Sequence, residues 1–479
     1  MAHYHFVGIA GIGMSALAQL ARAKGETVTG SDRYFDLGQL TDRRAQLEAQ
    51  GIGLFKQDGS GVHPGVERLV VSTAIEQGNA DLAKAREIGL SPLHRSELLA
   101  SLFHECKRGI AVTGSFGKTT ITGMIGWALH SAGYHPMVVN GGIMRNFETE
   151  AQIGNAVAGD GGIACIEADE SDGTCVNYRS SIGVITGLAR DHKELEDLHR
   201  IYSIFAGNTR EALVLSAQAS ASLFGVPGPR RITFGLREGD VRARRVHFGP
   251  RDTSFSVGAV RFRMRQIGAY SVFNALAAVA VLRELGLSDA RIEAGLRTFE
   301  GIGRHMELIG RVRGVRIFDD FAHNPSKVEA AIEAVRRAGA RRVLAVFQSH
   351  GFGPARFMRR ELVEVLARVM GRADRVFLLP IYYVGGNAVM DISAADVAAE
   401  AAARGAPAEA VPDRPTLIAR LKEAAGANDT ILVMGARDDT LTRLCRDIAE
   451  ALTGLPHSVG IPSVARRITR VNRWNAQGV

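Results

Sequence analysis

The residues 113–120, Thr-Gly-Ser-Phe-Gly-Lys-Thr-Thr, carry the groups needed to hold a chain of phosphates. Residues 109–112 ahead of them read as a short apolar strand. After them Met124, Ile125, Ala128 and Leu129 recur at helical spacing. Glycines at Gly114 and Gly117 let the backbone wrap an anion and turn N–H groups toward its oxygens. Lys118 adds a mobile positive charge, and a hydroxyl directly after it, on Thr119, can reach a magnesium ion. The common spacing is G-x-x-x-x-G-K-[ST]. Here the glycines stand three apart, so the loop is tighter. A glycine turn that merely caps a helix would not require Lys and Thr at these positions.

A second concentration of chemistry lies downstream. Residues 163–166 read as a strand that ends in Glu167, Ala168, Asp169, Glu170, Ser171 and Asp172. Four acids in six residues at such a strand end suit a hard cation, which takes carboxylate oxygens; a solvated acidic loop is the alternative. The next strand, 182–186, leads to Asp191 and His192, and His192 reads equally well as a metal ligand or as a surface histidine.

The N-terminal stretch has the layout of a nucleotide-binding βαβ unit. A strand over 4–10 is followed by Gly11, Gly13, Met14, Ser15 and Ala16, in the pattern G-x-G-x-x-A, and by a helix through Leu17, Leu20 and Ala21. A second strand over 27–31 ends at Asp32, placed to meet a ribose hydroxyl. The glycines do not select between a dinucleotide and the diphosphate of a UDP-sugar. A further strand over 69–74 ends in the hydroxyls of Ser72 and Thr73.

These motifs need several cores to position them. With 479 residues the chain exceeds one core, and 46% hydrophobic and 23% charged residues are those of a globular protein. No apolar run reaches membrane-spanning length, and the N-terminus runs straight into a strand with no signal peptide. Four scattered cysteines without a C-x-x-C pair point to a reducing, cytoplasmic setting and away from structural zinc. The net charge of +8 has few aromatics interleaved with it, which favours anionic small molecules over nucleic acid, and no membrane partner is expected. Residues 213–263 alternate as short strands do, and 270–285 form an Ala-rich helix carrying Asn274. Beyond residue 303, strands over 316–319, 342–347, 375–379 and 430–434 alternate with helices, read as a third parallel α/β layer, and the tail after Pro456 reads as poorly ordered.

The ordered set G-x-x-G-K-T-T, E-A-D-E-S-D, D-H, Asn274 in F-N-A-L, Gly303-Arg304 and D-D-F-A-H-N-P resembles the Mur ligases, the ATP-dependent amide ligases of peptidoglycan precursor synthesis, over nearly the whole chain. Gly11 to Ser15 and E-A-D-E-S-D look most like its alanine-adding branch. The resemblance implies an α/β enzyme of three domains. A Rossmann-like domain over 1–108 would bind the substrate acid as a UDP-sugar. A P-loop ATPase-like domain over 109–302 would bind ATP and Mg²⁺. A Rossmann-like domain over 303–479 would bring the amine and close over the nucleotide. Carried over by position, Gly114, Ser115, Gly117, Lys118, Thr119 and Thr120 hold the phosphates. Asn274, Arg304 and Asp320 contact the nucleotide. Thr119, Glu167 and His192 ligate the metal, with Lys118, Glu167 and His192 as the catalytic set. Gly11, Gly13, Met14, Ser15, Asp32, Ser72, His323 and His350 fall at substrate positions. The implied chemistry is activation of a carboxylate as an acyl phosphate and its capture by an amine.

The match departs locally. The alanine-adding pattern G-T-H-G-K-T has Ser115 and Phe116 here, and T-N-I-E-A-D-H has Gly187 at the asparagine. D-D-Y-G-H-H-P becomes Asp319, Asp320, Phe321, Ala322, His323, Asn324 and Pro325, and F-Q-P-H-R becomes Phe347, Gln348, Ser349, His350 and Gly351. The changes crowd into the part expected to hold the amine. They leave open a ligase of another pathway with a different acid and amine. A dehydrogenase resting on Gly11, Gly13 and Asp32 would leave Lys118 and the acidic run unexplained.

Overall fold

The computed structural model describes residues 1–188, 194–249, 252–383 and 389–454. His192 and the tail after Pro456 lie outside the described residues. Contacts divide the chain into two compact units. The first holds residues 1–245, 255–264 and 272–302; the second holds 246–254, 265–271 and the chain from 303 onward.

The first unit contains two sheets. β1 (His3–Val7), β2 (Thr27–Ser31), β3 (Gly53–Phe55), β4 (Arg68–Val71) and β5 (Pro92–His94) form a parallel sheet in the order β3-β2-β1-β4-β5. The order reverses between β1 and β4, so the crevice for a ligand opens beyond their C-terminal ends. Gly11 and Ser72 follow those two strands. Helix α1 (Ile12–Ala23) begins at Gly11 and buries Met14 to Ala21.

The second sheet contains β6 (Arg108–Thr113), β7 (Met137–Val139), β8 (Ala156–Val157), β9 (Ile163–Glu167), β10 (Ile182–Ile185), β11 (Ala212–Ser216), β12 (Arg230–Gly235) and β13 (Val241–Arg242), ordered β13-β12-β11-β10-β6-β9-β7-β8. All pairings are parallel except β7–β8. β6, β9 and β10 are almost wholly buried apolar runs, as strands covered on both faces must be. β6 lies between β9 and β10, with Val112 opposite Glu167 and Thr113 opposite Ile185. The phosphate loop, the acidic run and Thr186-Gly187 therefore leave three adjacent strand ends.

One apolar core runs from the first sheet into the second, joining Phe6, Leu17 and Leu20 to Met137, Ile153 and Ile166, with Phe103 edge-on to Tyr178. The chain passes from one sheet to the other near Lys107, but the packing is continuous there. A buried amide seam reinforces it. Gln19 donates to Asn155 Oδ1 at 2.8 Å, and Asn155 Nδ2 donates to Ile12 O at 2.6 Å and Ser15 Oγ at 2.9 Å. Losing one partner would leave a buried polar group unsatisfied, at a cost of about 1–3 kcal/mol.

Three short strands follow, β14 (Arg244–Phe248), β15 (Thr253–Val257) and β16 (Val260–Met264), then an apolar helix α2 (Ala269–Glu284) carrying Asn274.

The second unit is built on β17 (Glu307–Val312), β18 (Val315–Asp320), β19 (Arg342–Phe347), β20 (Arg375–Leu378), β21 (Ala408–Ala410) and β22 (Asp429–Met434), ordered β17-β18-β22-β19-β20-β21. The expected third parallel layer is corrected at its edge. β17 pairs antiparallel with β18 through the turn at Arg313-Gly314, and its alternation of half-buried and exposed residues hid it among polar neighbours. β18, β22 and β19 are adjacent, with Met434 opposite both Asp320 and Phe347.

Candidate active site

In the first unit the loop after β6 turns on two glycines with positive φ, Gly114 at 122° and Gly117 at 79°. A Cβ on Gly114 would stand 2.2 Å from Thr186 Oγ1, and one on Gly117 would stand 2.3 Å from Asn274 Oδ1. Both conformation and space thus require glycine, and Asn274, buried on α2, is brought against the loop. Helix α3 (Lys118–Ser131) starts directly after Gly117 with no side-chain cap, leaving its first N–H groups for an anion.

Three acceptors surround Lys118 Nζ. Gly114 O lies at 3.0 Å and both carboxylate oxygens of Glu170 at 2.9 Å. Burial opposes the lysine charge, but Glu170, Glu167 and Asp169 outweigh it and hold the pKa above the ordinary lysine value. Glu167 Oε1 accepts from Thr119 Oγ1 at 3.1 Å and Oε2 from Gly141 N at 2.8 Å. Burial pushes the Glu167 carboxyl up, against the pull of Lys118 and these two donors. Asp169 is desolvated too, yet the Ser171 N–H and Lys118 bring it below the usual carboxylate value.

Among the described residues no three His, Cys, Asp or Glu side chains are grouped to enclose a metal. Thr119 and Glu167 at the mouth of a phosphate loop still fit Mg²⁺, which is held by one or two protein oxygens and completes its shell with water and phosphate.

At the first sheet, Gly11 and Gly13 open α1, and Met14 is buried beneath them. Ser15 is also buried; its hydroxyl donates to Gly11 O at 3.0 Å and receives Asn155. Asp32 places both oxygens on backbone, from Ala10 N and Tyr34 N at 2.9 Å each, and caps a short helix. Burial raises its pKa. Ser72, half-buried, lies beyond β4 and accepts Ile75 N through its carbonyl. Arg95 was missed by motif reading. A Cβ on Gly13 would stand 3.2 Å from its Nη1, and its Nη2 donates to Asp172 at 3.0 Å, tying the glycine helix to the acidic run. A lone arginine opening a helix has no spacing signal that would single it out.

In the second unit Arg304, at φ 60°, donates to Gly435 O at 2.6 Å and Ala436 O at 2.8 Å. Asp320 accepts Met306 N at 2.7 Å and Ala322 N at 2.8 Å. Its burial pushes the carboxyl up to about 7. Phe321 follows with its ring 5.3 Å from the Arg304 guanidinium, stacked at 6.1 Å on His305 and edge-on to His323 at 5.6 Å. His323 and His350 meet edge to face at 5.0 Å, and His323 Nδ1 hydrogen-bonds Phe321 O at 2.9 Å. Strand ends thus bring Arg304, Asp320, His323 and His350 together. His305 was not anticipated, since it falls outside every motif.

A glycine phosphate loop, a carboxylate beside its threonine and a Rossmann-like sheet in each unit define a nucleotide-dependent α/β enzyme. Three family models match in succession: the Mur ligase family catalytic domain over residues 3–107, the Mur ligase middle domain over 112–282, and the Mur ligase glutamate ligase domain over 303–437. A UDP-N-acetylmuramate–L-alanine ligase of Synechococcus sp. is 35% identical over 468 residues, covering 91% of this chain and 93% of the relative. Among solved structures, the UDP-N-acetylmuramate-alanine ligase of Thermotoga maritima superposes with a TM-score of 0.80 at 23% identity, covering 95% of this chain and all of that one. A murein peptide ligase from Psychrobacter arcticus gives 0.66 at 22%, covering 95% and 99%. The chain belongs to the Mur ligase family. It is an ATP-dependent ligase that forms a carbon–nitrogen bond, and the dehydrogenase alternative is set aside. No described helix is long and apolar enough to cross a membrane.

Proposed function

We propose that this chain joins the carboxylate of UDP-N-acetylmuramate to an amine in the cytoplasm, as a step of peptidoglycan precursor synthesis, and that the amine is larger or less polar than L-alanine. The names of the relatives support UDP-N-acetylmuramate as the acid. The amine rests on Phe321, which is 39% exposed among His305, His323 and Arg304, where the alanine-adding pattern has a tyrosine hydroxyl.

Gly114, Ser115, Gly117, Lys118, Thr119 and Thr120 would hold the triphosphate, with Asn274 behind Gly117. Arg304 and Asp320 are the nucleotide contacts from the second unit. Bound ATP supplies the phosphoryl group that turns a carboxylate into an electrophile. Lys118 neutralises charge on the transferred group, and Thr119, Glu167 and His192 hold Mg²⁺. The amine must be neutral to attack. His323, whose Nδ1 hydrogen-bonds Phe321 O, is the histidine proposed to take its proton. Gly11, Gly13 and Met14 seat the diphosphate of the acid at the start of α1, with Ser15, Asp32 and Ser72 supporting that crevice.

The test is phosphate release with UDP-N-acetylmuramate, comparing L-alanine with a panel of amino acids, peptides and amines lacking a carboxylate. Lys118→Ala serves as the inactive control. Preferred turnover of L-alanine would return the chain to ordinary alanine addition, and no release with any amine would mean a different acid.

A further inference from the structure

A lysine ammonium has three protons. At Lys118 one goes to Gly114 O at 3.0 Å and one to Glu170 Oε1 at 2.9 Å, and the other Glu170 oxygen also stands 2.9 Å from Nζ. A phosphate entering the loop must therefore compete with Glu170 for this ammonium. The carboxylate that holds it is itself fixed. The Glu170 side chain is 8% exposed, and Thr113 Oγ1, at the end of β6, donates to its Oε2 at 3.4 Å. Glu170 is separate from Glu167, the carboxylate that receives Thr119 and Gly141. The run E-A-D-E-S-D thus divides its labour, with its first glutamate beside the metal-side threonine and its second glutamate on the lysine.

We infer that Glu170 is a positioning residue that competes with the nucleotide for Lys118, holding the lysine back when the loop is empty and reclaiming it as product leaves. The inference rests on the reading of residues 113–120 as the nucleotide phosphate loop. Two-point contact matters here. A carboxylate that meets an ammonium through both oxygens combines charge with fixed geometry, and shortening the side chain breaks the geometry while keeping the charge. Glu170 then opposes binding of ADP as well as ATP, and speeds release of the product nucleotide.

The experiment measures ADP affinity in the presence of magnesium, by calorimetry, for the wild type, Glu170→Gln and Glu170→Asp, alongside kcat and KM for ATP. Both variants are expected to bind ADP about tenfold more tightly, equivalent to about 1.4 kcal/mol. Both should show kcat and KM for ATP falling together, so that kcat/KM changes little. A merely structural role for Glu170 would weaken binding. Weaker ADP binding in either variant overturns the inference. Wild-type affinity in Glu170→Asp with tighter binding in Glu170→Gln also overturns it, since the effect would then be that of charge alone. Failure of the wild type to bind ADP would instead remove the phosphate-loop reading on which the inference stands.

Discussion

The ring of Phe116 occupies the space that a side chain at position 187 would need: a Cβ on Gly187 would lie 2.4 Å from its Cζ and 2.6 Å from its Cε1. Two departures from the alanine-adding pattern, Phe at 116 and Gly at 187, therefore meet in space. Phe116 also packs on Phe273 at 5.7 Å, which packs on Phe234 at 4.9 Å. Gly187 in turn supports the phosphate loop, since its carbonyl accepts Ser115 N at 3.2 Å. Gly187→Ala should lower stability by about 1–2 kcal/mol in the wild type by driving the ring off its neighbours, and by much less in a Phe116→Ala background. Urea unfolding of the four proteins of this cycle measures the coupling. A coupling near zero would mean that the two positions are independent.

Glu167→Gln should raise the magnesium concentration needed for half-maximal turnover by at least about tenfold while leaving the fold intact. A glutamine can turn its oxygen to Gly141 N and its NH₂ to Thr119. That keeps both contacts but removes the charge and occupies a lone pair of Thr119 that a hard cation needs. His192→Ala should act in the same direction. Magnesium titrations of phosphate release check both, and unchanged curves would remove Glu167 and His192 from the metal.

Much of this site was legible because its chemistry is local in sequence. Gly114, Lys118 and Thr119 fall within six residues, and the acidic run ends a strand whose apolar character is continuous. What sequence could not show is which acid meets which cation. Glu167 and Glu170 are equivalent as letters, and only the pairing of Val112 with Glu167 decides which carboxylate faces Thr119 and which lies under Lys118. Asp32, read as placed for a ribose, also receives two backbone N–H groups, a capping use that spacing does not announce. The sheet of the second unit was legible in its buried strands. β17 was not, because an edge strand facing water on one side lacks a continuous apolar run.

Asn324, which stands where the alanine-adding pattern has a second histidine, has a local task. Its Oδ1 accepts Lys327 N at 2.9 Å and so caps the helix Pro325–Arg337, with Pro325 at the first position and Ser326 Oγ at 3.1 Å. Asn324→Ala should cost about 1 kcal/mol of stability, and Asn324→Ser only a fraction of that. KM for the amine should stay within twofold, or about 0.4 kcal/mol, of wild type in both. Thermal unfolding and amine titration separate the two roles; a large shift in amine KM with unchanged stability would place Asn324 in the amine site instead.

His305 links stability to pH. Burial, with the charges of Arg304 and Lys327, lowers its pKa from 6.5 to about 4. An unfolded chain takes up a proton at this side chain as pH falls through about 6.5, while the folded chain resists until about 4. The unfolded state therefore binds more protons within that window, and stability falls as pH falls through it. In His305→Gln this part of the loss should vanish, so the fall in Tm across the window should be smaller than in wild type. Identical Tm-against-pH curves would show that His305 does not titrate differently in the two states.

Position 321 tests the amine. A free amino acid brings a carboxylate, best held by a guanidinium, and leaving that charge unpaired in a closed site is costly. The arginine of the alanine-adding pattern falls at Gly351, whose φ of 145° and ψ of 159° are a conformation that a residue with a Cβ rarely adopts, so an arginine placed here would be strained. Arg356 donates to Asp391 and to Val389 O, and is committed. Arg437 lies exposed just after β22 and is the guanidinium proposed to meet a carboxylate. Phe321→Tyr restores the hydroxyl without touching that backbone. One hydrogen bond to a charged group contributes about 1.5–3 kcal/mol. The ratio of kcat/KM for L-alanine to that for the best larger amine should therefore rise by about tenfold or more in Phe321→Tyr. The added Arg437→Ala change should reduce turnover of amines that carry a carboxylate and spare those that lack one. Competition assays with paired amines, read by product mass, give the ratio directly. A ratio unmoved by Phe321→Tyr would put residue 321 outside the amine site, and equal losses for both amine classes in Arg437→Ala would deny Arg437 the carboxylate.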